Sequence, residues 1–301
     1  MNVLWVFAHP EGRSLNGVLR DRGAATLARL GHRVRHSDLY AMGWNPVVGP
    51  ADFGHDPADR LVVGAASERA HAAGSLAPDI RAEQDKIAWA DALVVQFPMW
   101  WFGMPAILKG WFDRVFVQGF AFGVTDGRGR TLRYGAGGLA GRRALVVTTA
   151  GARPTGLGPR GVHGDAEDVL FPLLHGTLFY TGMDVLPPLV IAAADRAGLA
   201  DTAAAAAALD ERLHALPTAA PIPYRTESGG DYDDDLVLRP DLSPDNTGLT
   251  VHRTIPAHQP DDRPARPGPA RAADQRRDSC PGGSGGGGGG AARCAARSPM
   301  P

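Results

Sequence analysis

Three stretches of the sequence combine residue types that bind small molecules, and each follows directly on an apolar run. They are AHPEGRSLNG (8–17), QFPMWWFGMP (96–105) and TTAGARPTGLGPRGVHGD (148–165). Hydroxyl, amide and imidazole groups in the first stretch can bind phosphate, and aromatic rings on a loop more often face a ligand or partner than solvent. The sequence therefore offers a phosphate site and an aromatic wall for a planar ligand.

The first stretch runs from a buried strand into a polar loop that opens a helix near Asn16. Backbone N–H groups at such a helix N-terminus bind phosphate, and His9, Ser14 and Asn16 can add side-chain contacts. The alternative is that Ser14 or Asn16 caps the helix and that His9 only satisfies backbone groups. The chain lacks GxGxxG after this strand and lacks GxxxxGK[ST], so neither the usual dinucleotide fingerprint nor a P-loop is supported.

The second stretch places Trp100, Trp101 and Phe102 between two prolines. Pro98 and Pro105 argue against a regular helix or central strand through it, so the rings are expected on a turn. Stacked on a planar heterocycle, they would bind it and exclude water. The alternative is that one or two rings cover the end of the sheet or a subunit contact.

The third stretch offers the hydroxyls of Thr148 and Thr149 and the imidazole of His163. Its glycines allow the backbone to approach a ligand closely. A lone loop histidine is more often structural than catalytic, although its place beyond the end of a strand favours a role in a site. There is no Gly-x-Ser-x-Gly elbow, and His163 has no second histidine at metal-ligand spacing, so we expect neither a serine nucleophile nor a metal.

Short apolar runs alternate with helical patterns along the chain. The expected strands are 2–8, 32–40, 91–98 and 142–151, and a fifth is expected within 184–194. The expected helices are 16–31, 78–90, 104–116, 165–182 and 201–216. Buried strands separated by helices indicate βαβ units and a parallel sheet. We predict an α/β flavodoxin-like fold, with a five-stranded parallel sheet in the order 2-1-3-4-5 and helices on both faces. In such sheets ligands lie beyond the carboxyl ends of the strands, where the three stretches begin.

The composition changes along the chain and divides it into three parts. Residues 1–216 are predicted to form the ligand-binding domain, and the polar segment 217–254 an arm that packs on this domain or on a dimer partner. Residues 255–301 consist largely of Pro, Gly, Arg and Ala and cannot bury enough apolar surface to fold alone, so we expect disorder there.

Bulk composition excludes several classes of protein. The chain has 301 residues, a formal net charge of −1 and a hydrophobic content of 44%. Nothing in this charge favours nucleic acid or an anionic membrane as a partner. The only cysteines, Cys280 and Cys294, form no disulfide framework, and the apolar run at the start is too short for a signal peptide or a membrane span. We expect a cytoplasmic protein without membrane insertion.

Several segments together resemble the flavodoxin-like NAD(P)H:quinone oxidoreductases. They are residues 2–17, SDLYAM (37–42), the block 82–116, TTAG with VHGD (148–151 and 162–165), and IPYRTESGGDYDDDLVLRP (222–240). The most specific part is PxxWFGxPAILKGWFDRVF, at 98–116, because sheet and helix formation alone do not require it. The last segment is similar to the carboxyl-terminal arm of bacterial members.

The resemblance implies a homodimer that binds FAD, with FMN as the alternative, at sites between the subunits. Its co-substrates would be NAD(P)H and a small quinone. The residues implied to contact the flavin are His9, Ser14, Leu15 and Asn16 at the phosphate and ribityl chain, Pro98, Met99, Trp100, Trp101 and Phe102 along the isoalloxazine, and Thr148, Thr149, Ala150 and Gly151 at its other edge. Tyr180 matches an aromatic residue that the second subunit offers to the substrate pocket.

The mechanism implied by the resemblance is ping-pong: NAD(P)H passes a hydride to flavin N5 and leaves, and a quinone then accepts two electrons. His163 matches a histidine that stabilises charge on the reduced flavin. The tyrosine that accompanies it in the family is absent, since Thr155 or Gly156 stands at its position. Arg153 or Arg160 is our hypothesis for a replacement.

Two functions are consistent with this resemblance. The first is a flavin-dependent NAD(P)H:quinone oxidoreductase. The alternative is a flavin-binding ancillary subunit of the potassium-efflux type with weak reductase activity, which the missing tyrosine would suit. Steady NAD(P)H oxidation with a soluble quinone would distinguish the enzyme from the regulator.

Overall fold

A parallel β-sheet with helices on both faces forms the centre of the computed structural model, which describes residues 1–196 and 198–254. The strands are β1 (Asn2–Phe7), β2 (Arg33–Asp38), β3 (Ala92–Pro98), β4 (Arg143–Thr149), β5 (Asp184–Val185) and β6 (Leu189–Ile191). The helices are α1 (Leu15–Arg29), α2 (Val63–Ala72), α3 (Pro78–Trp89), α4 (Ala106–Val115), α5 (Ala166–Val169), α6 (Phe171–Leu173) and α7 (Leu199–Ala215). A π-helical turn, Leu174–Phe179, follows α6.

The strand order β2-β1-β3-β4-β5 confirms the prediction, and all pairings are parallel. The segment 184–194, which was predicted to contain the fifth strand, holds two short strands, β5 and β6, and both pair with β4. Pro187 and Pro188 lie between them. Because proline has no N–H to donate to the ladder, strand pairing stops at these two prolines and resumes at Leu189.

Side chains alternate along the strands and fill two apolar cores, one on each face of the sheet. Val3, Trp5 and Phe7 of β1 lie in the core that α1 and α7 cover, whereas Leu4 and Val6 lie in the core beneath α3 and α4. This alternation is why the central strands read as continuous apolar runs.

Two helical regions differ from the predicted ones. The helix α2 was not predicted; the side chains that it buries are the small Ala66, Ser67 and Ala70. The predicted helix 165–182 is divided into α5, α6 and the π-turn, and Pro172 lies inside this region. None of the helices within the described ranges has the length and apolarity needed to cross a membrane.

A buried ion pair attaches the segment before α2 to α4. The guanidinium of Arg114 donates to Asp52 at 2.7 Å and to Asp79 at 2.7 Å, and it lies 4.6 Å from the ring centre of Trp44. The side chains of Arg114 and Asp52 are only 4% and 8% exposed. Each charge has lost most of its hydration, and the opposite charge compensates for that loss.

The arm that follows α7 returns to its own domain beside β5. The N–H of Ile222 donates to the carbonyl of Val185 at 2.7 Å, and Tyr224 is buried. Arg253 pairs with Glu167 of α5 at 2.8 Å. Through these contacts the arm packs on its own domain. The tail predicted to be disordered, 255–301, lies outside the described residues.

Candidate functional site

A cleft of about 250 Å³ opens at the carboxyl ends of β1, β3 and β4. Its lining residues are His9, Ser14, Leu15, Asn16, Pro98, Met99, Trp100, Thr149, Ala150, Gly151, Ala194 and Asp195. All except the last two are among the predicted site residues. The three stretches that the sequence singled out therefore meet at one place, at the edge where the sheet topology predicts a ligand.

The loop before α1 is held by its own side chains. Ser14 caps the helix, since its Oγ accepts from the N–H of Gly17 at 3.2 Å. His9 Nδ1 accepts from the N–H of Glu11 at 3.0 Å and lies 3.1 Å from Ser14 Oγ. The structural alternatives for Ser14 and His9 are thus both observed. They do not exclude ligand contact, because both residues line the cleft at the positive end of the α1 dipole.

An exposed ion pair neutralises the tip of this loop. Arg13 donates to Glu11 at 2.8 to 3.1 Å, and its hydrogen bonds and charge lower the pKa of Glu11 to about 2. Glu11 is therefore ionised at neutral pH, but its charge is matched within the loop. The N-terminus of α1 contributes the positive end of the helix dipole at this side of the cleft.

Asn16 is fixed by a buried network that joins three strands to α1. Its Nδ2 donates to Thr149 Oγ1 at 2.7 Å, and its carbonyl accepts from Gln96 Nε2 at 2.8 Å. Gln96 in turn accepts from the indole of Trp5 at 2.9 Å. Asn16 Oδ1 and Thr148 Oγ1 are buried, and neither has a hydrogen-bond partner within the described residues. An acceptor left unpaired beside a cleft is a site at which a ligand hydroxyl can donate.

The aromatic stretch forms a two-residue turn. Trp100 and Gly103 exchange backbone hydrogen bonds at 2.9 and 3.0 Å, and the two residues between them have positive φ, 50° for Trp101 and 61° for Phe102. Both central residues of a type I′ turn require positive φ, which Asn and Gly adopt readily and bulky residues do not. The strain costs on the order of 1–3 kcal/mol for each such residue and is typical of functional sites.

Two of the three rings lie outside the cleft of the single chain. Trp100 lines it, but Trp101 is 98% exposed and Phe102 is 52% exposed. Thr148 is buried within β4 beneath the cleft. The His163 ring does not line the cleft either, although its centre lies 5.4 Å from that of Phe102. The turn and His163 therefore form one exposed aromatic edge beside the cleft.

Tyr180 lies in a different cavity. This cavity has a volume of about 310 Å³, and Met104, Lys109 and Phe122 also line it. Within one chain, Tyr180 is therefore not part of the predicted flavin site. This location does not test its predicted role, which is to reach the substrate pocket of a second subunit.

The loop after β4 is closely packed against itself. The N–H of His163 donates to the carbonyl of Gly156 at 3.1 Å, so the histidine has a fixed place on the loop. Arg153 and Arg160, the proposed replacements for the missing tyrosine, are both exposed. Their contribution to the site stays a prediction.

Ala194 and Asp195 line the cleft but were missed in the sequence. The N–H of Ala194 donates to the carbonyl of Ala150 at 3.0 Å, which sets the loop after β6 beside the loop after β4. Arg196 donates to the carbonyl of Gly151 at 2.9 Å. The signal that could have found them is their position after the last strand, since they reach the same carboxyl edge of the sheet.

Comparisons with known proteins agree with this architecture. A family model described as the flavodoxin-like fold matches residues 1–215. A ribosyldihydronicotinamide dehydrogenase-like protein of Penicillium crustosum is 43% identical over 235 residues, which cover 77% of this chain and 87% of that protein. NAD(P)H dehydrogenase (quinone) 1 of Rattus norvegicus is 38% identical, with 63% of this chain and 68% of that protein covered. A candidate quinone reductase from Klebsiella pneumoniae superposes with a TM-score of 0.81 at 46% identity, covering 84% of this chain and 100% of the other.

Proposed function

Because the chain belongs to the flavodoxin-like NAD(P)H:quinone oxidoreductase family, we propose that it is a flavin-dependent enzyme that reduces quinones with NAD(P)H. The observation that supports this most is the cleft at the carboxyl edge of the sheet. It combines a helix N-terminus, an unpaired buried acceptor on Asn16 and the ring of Trp100, the first residue of the aromatic turn. These are the groups that a phosphate, a polyol chain and a planar ring require.

The residues present fit a flavin. The first turn of α1, with Ser14 and Leu15, would hold its phosphate, and Asn16 Oδ1 would accept from a ribityl hydroxyl. Met99 and Trp100 would lie along the ring. A bound flavin would supply the redox chemistry, by accepting a hydride from NAD(P)H and giving two electrons to a quinone in a ping-pong sequence. We propose FAD as the cofactor, with FMN as the alternative, to be decided by chromatography of the cofactor released on denaturation.

The chain's own residues would position the reactants and stabilise the charge that develops during the reaction. The buried network around Asn16 fixes one side of the cleft, and the strained turn fixes the other before any ligand arrives. His163, beside Phe102, would stabilise negative charge that develops at the ring edge in the transition state.

A second copy of the chain would complete the site. The volume of the cleft, about 250 Å³, is small for a cofactor site, since such sites usually span ~300–1,000 Å³. No other part of residues 1–196 and 198–254 covers the exposed rings of Trp101 and Phe102. We therefore propose a homodimer with the flavin between subunits, in which Tyr180 faces the substrate of its neighbour. Sedimentation velocity with and without flavin tests the dimer.

An absorption spectrum before and after anaerobic addition of NADPH tests the proposed activity. A flavin spectrum that bleaches at once, followed by steady NADPH oxidation with a soluble quinone, is the expected result. Dihydronicotinamide riboside is tested in parallel as a second hydride donor. One relative is named for ribosyldihydronicotinamide and another for NAD(P)H. Parallel lines in double-reciprocal plots would support the ping-pong order.

A flavin that stays oxidised with every donor would contradict the enzyme and revive the alternative, a regulatory subunit of potassium-efflux type. The named relatives do not favour that alternative. Failure to bind FAD or FMN on reconstitution would contradict both functions.

Replacing Trp101 with alanine is expected to weaken flavin retention by about 2- to 13-fold, because a stacking contact of ~0.5–1.5 kcal/mol is lost. The stability of the flavin-free chain should change little, since the side chain is exposed. Equilibrium dialysis against FAD measures the retention. Val47→Ala, a similarly exposed apolar residue away from the cleft, serves as the control. Equal retention by both variants would show that Trp101 does not contact the flavin.

Gly17→Ala is expected to lower flavin affinity by at least about 10-fold. A Cβ at Gly17 would lie 1.8 Å from the carbonyl oxygen of Gly12, so the loop before α1 must move. Overpacking of this kind also costs ~1–3 kcal/mol of stability. Gly12→Ala in the same loop is the matched control, because a Cβ there meets no atom within 4 Å. The prediction is wrong if the two variants bind FAD equally well.

A further inference from the structure

A second cavity, separate from the cleft, lies where the arm packs on the domain. Its volume is about 270 Å³. The lining residues come from the domain, Tyr134, Phe171 and His175, and from the arm, Arg225, Glu227, Tyr232, Leu236 and His252. It shares no lining residue with the cleft, so any ligand that it binds is independent of the proposed flavin site.

Aromatic rings surround the imidazole of His175 in this cavity. Phe171 stacks on it with ring centres 4.5 Å apart and planes 17° apart, and Tyr134 lies 4.9 Å away. The ring of Tyr224 meets it edge-on at 4.9 Å. A flat ligand entering this cavity would meet ring faces and edges, the surroundings in which planar aromatic molecules bind best.

The charges at the cavity are paired. Arg225 donates to Asp231 at 2.6 Å, and Glu227 pairs with Arg133. The Tyr232 hydroxyl and His252 Nδ1 lie 2.9 Å apart and satisfy each other. A charged ligand would have to break one of these pairs, which favours an uncharged ligand.

His175 carries a buried polar atom that no other described residue satisfies. The residue is 8% exposed, and its Nε2 has no hydrogen-bond partner within the described residues. Burial, together with His252 and Arg253, lowers the pKa of His175 to about 4, so the ring is neutral at pH 7. A neutral imidazole keeps one unprotonated nitrogen, which accepts a hydrogen bond from a hydroxyl.

We propose that this cavity binds an uncharged planar aromatic molecule of one or two rings that carries a hydroxyl group, such as a phenol, and that the hydroxyl donates to His175. The rings of Phe171 and Tyr134 supply the stacking, and the arm closes the site.

The test compares two probes of equal ring size by isothermal titration calorimetry on the full-length protein. One is 1-naphthol, which can donate a hydrogen bond, and the other is 1-methoxynaphthalene, which cannot. The expected result is that 1-naphthol binds about 5- to 10-fold more tightly, the advantage that one neutral hydrogen bond gives. Absence of binding by 1-naphthol would overturn the proposal, as would equal affinity for the two probes.

Three variants locate the binding. His175→Phe keeps an aromatic ring at this position but removes both imidazole nitrogens. It should abolish the preference for 1-naphthol and leave the affinity for 1-methoxynaphthalene unchanged. Leu236→Trp, at a half-exposed position of the rim, should fill the cavity and weaken both probes at least about 10-fold. The Leu236→Trp variant tests whether the probes bind in this cavity even if His175→Phe does not fold. Trp100→Ala should leave both affinities unchanged; a loss of binding there, with no effect of Leu236→Trp, would place the probes in the cleft and overturn the proposal.

Discussion

Replacing His163 with alanine is expected to slow the reduction of bound flavin by NADPH by about 10- to 100-fold, or ~1.4–2.7 kcal/mol in activation free energy. The physical reason is the loss of a positioned donor next to the ring of Phe102, whose centre lies 5.4 Å from that of His163. The effect should be smaller than the loss of a complete oxyanion hole, because only one donor is removed. Anaerobic stopped-flow absorbance measures the rate directly.

His214→Ala is the matched control for this experiment, because His214 is exposed near the end of α7 and does not line the cleft. His163→Gln should recover part of the rate if hydrogen bonding, rather than charge, is what the imidazole contributes. A His163→Ala protein that reduces its flavin at the wild-type rate would show that the histidine only holds the loop through its backbone. In that case Arg160→Ala becomes the next variant to measure.

Arg114→Met is expected to reduce the free energy of unfolding by about 3–5 kcal/mol, because it leaves the carboxylate of Asp52 buried without its partner. Methionine keeps most of the length of the side chain, so little of the loss comes from a cavity. Urea denaturation followed by circular dichroism measures the effect.

Lys109→Met, also on α4, provides the comparison. Lys109 pairs with Asp113 at 2.6 Å, but the two side chains are 61% and 44% exposed. An exposed pair of this kind contributes ~0–1 kcal/mol. If the two methionine variants were equally stable, the Arg114 pair would have to be far better solvated than its 4% exposure indicates.

The sheet could be predicted from the sequence because each central strand is a short apolar run with turn residues at its end. Where the prediction was wrong, local chemistry prevailed over the pattern. Pro187 and Pro188 interrupt a run that otherwise resembles one strand, and Pro172 lies within a helix that otherwise looks continuous. The helix α2, which buries only the small Ala66, Ser67 and Ala70, was missed.

The location of the candidate site was predictable for a topological reason, because parallel strands bring the loops that follow them to one edge. What sequence patterns could not supply was the contact between distant loops. The bond from Asn16 to Thr149 and the approach of Asp195 to the cleft depend on packing across the sheet. The charge-stabilising role of His163 and the role of Tyr180 in a neighbouring subunit came from the resemblance and stay predictions.

The strained turn has a consequence for how this protein would respond to selection. Replacing Trp101 and Phe102 with Asn and Gly would place residues with a natural preference for positive φ at both positions. Stability should rise by ~1–3 kcal/mol for each of the two positions, while the stacking surface is lost. Selection for heat resistance alone would therefore favour loss of Trp101 and Phe102. If related proteins keep both aromatic residues, the extent to which they do so would measure the strength of selection for ligand binding.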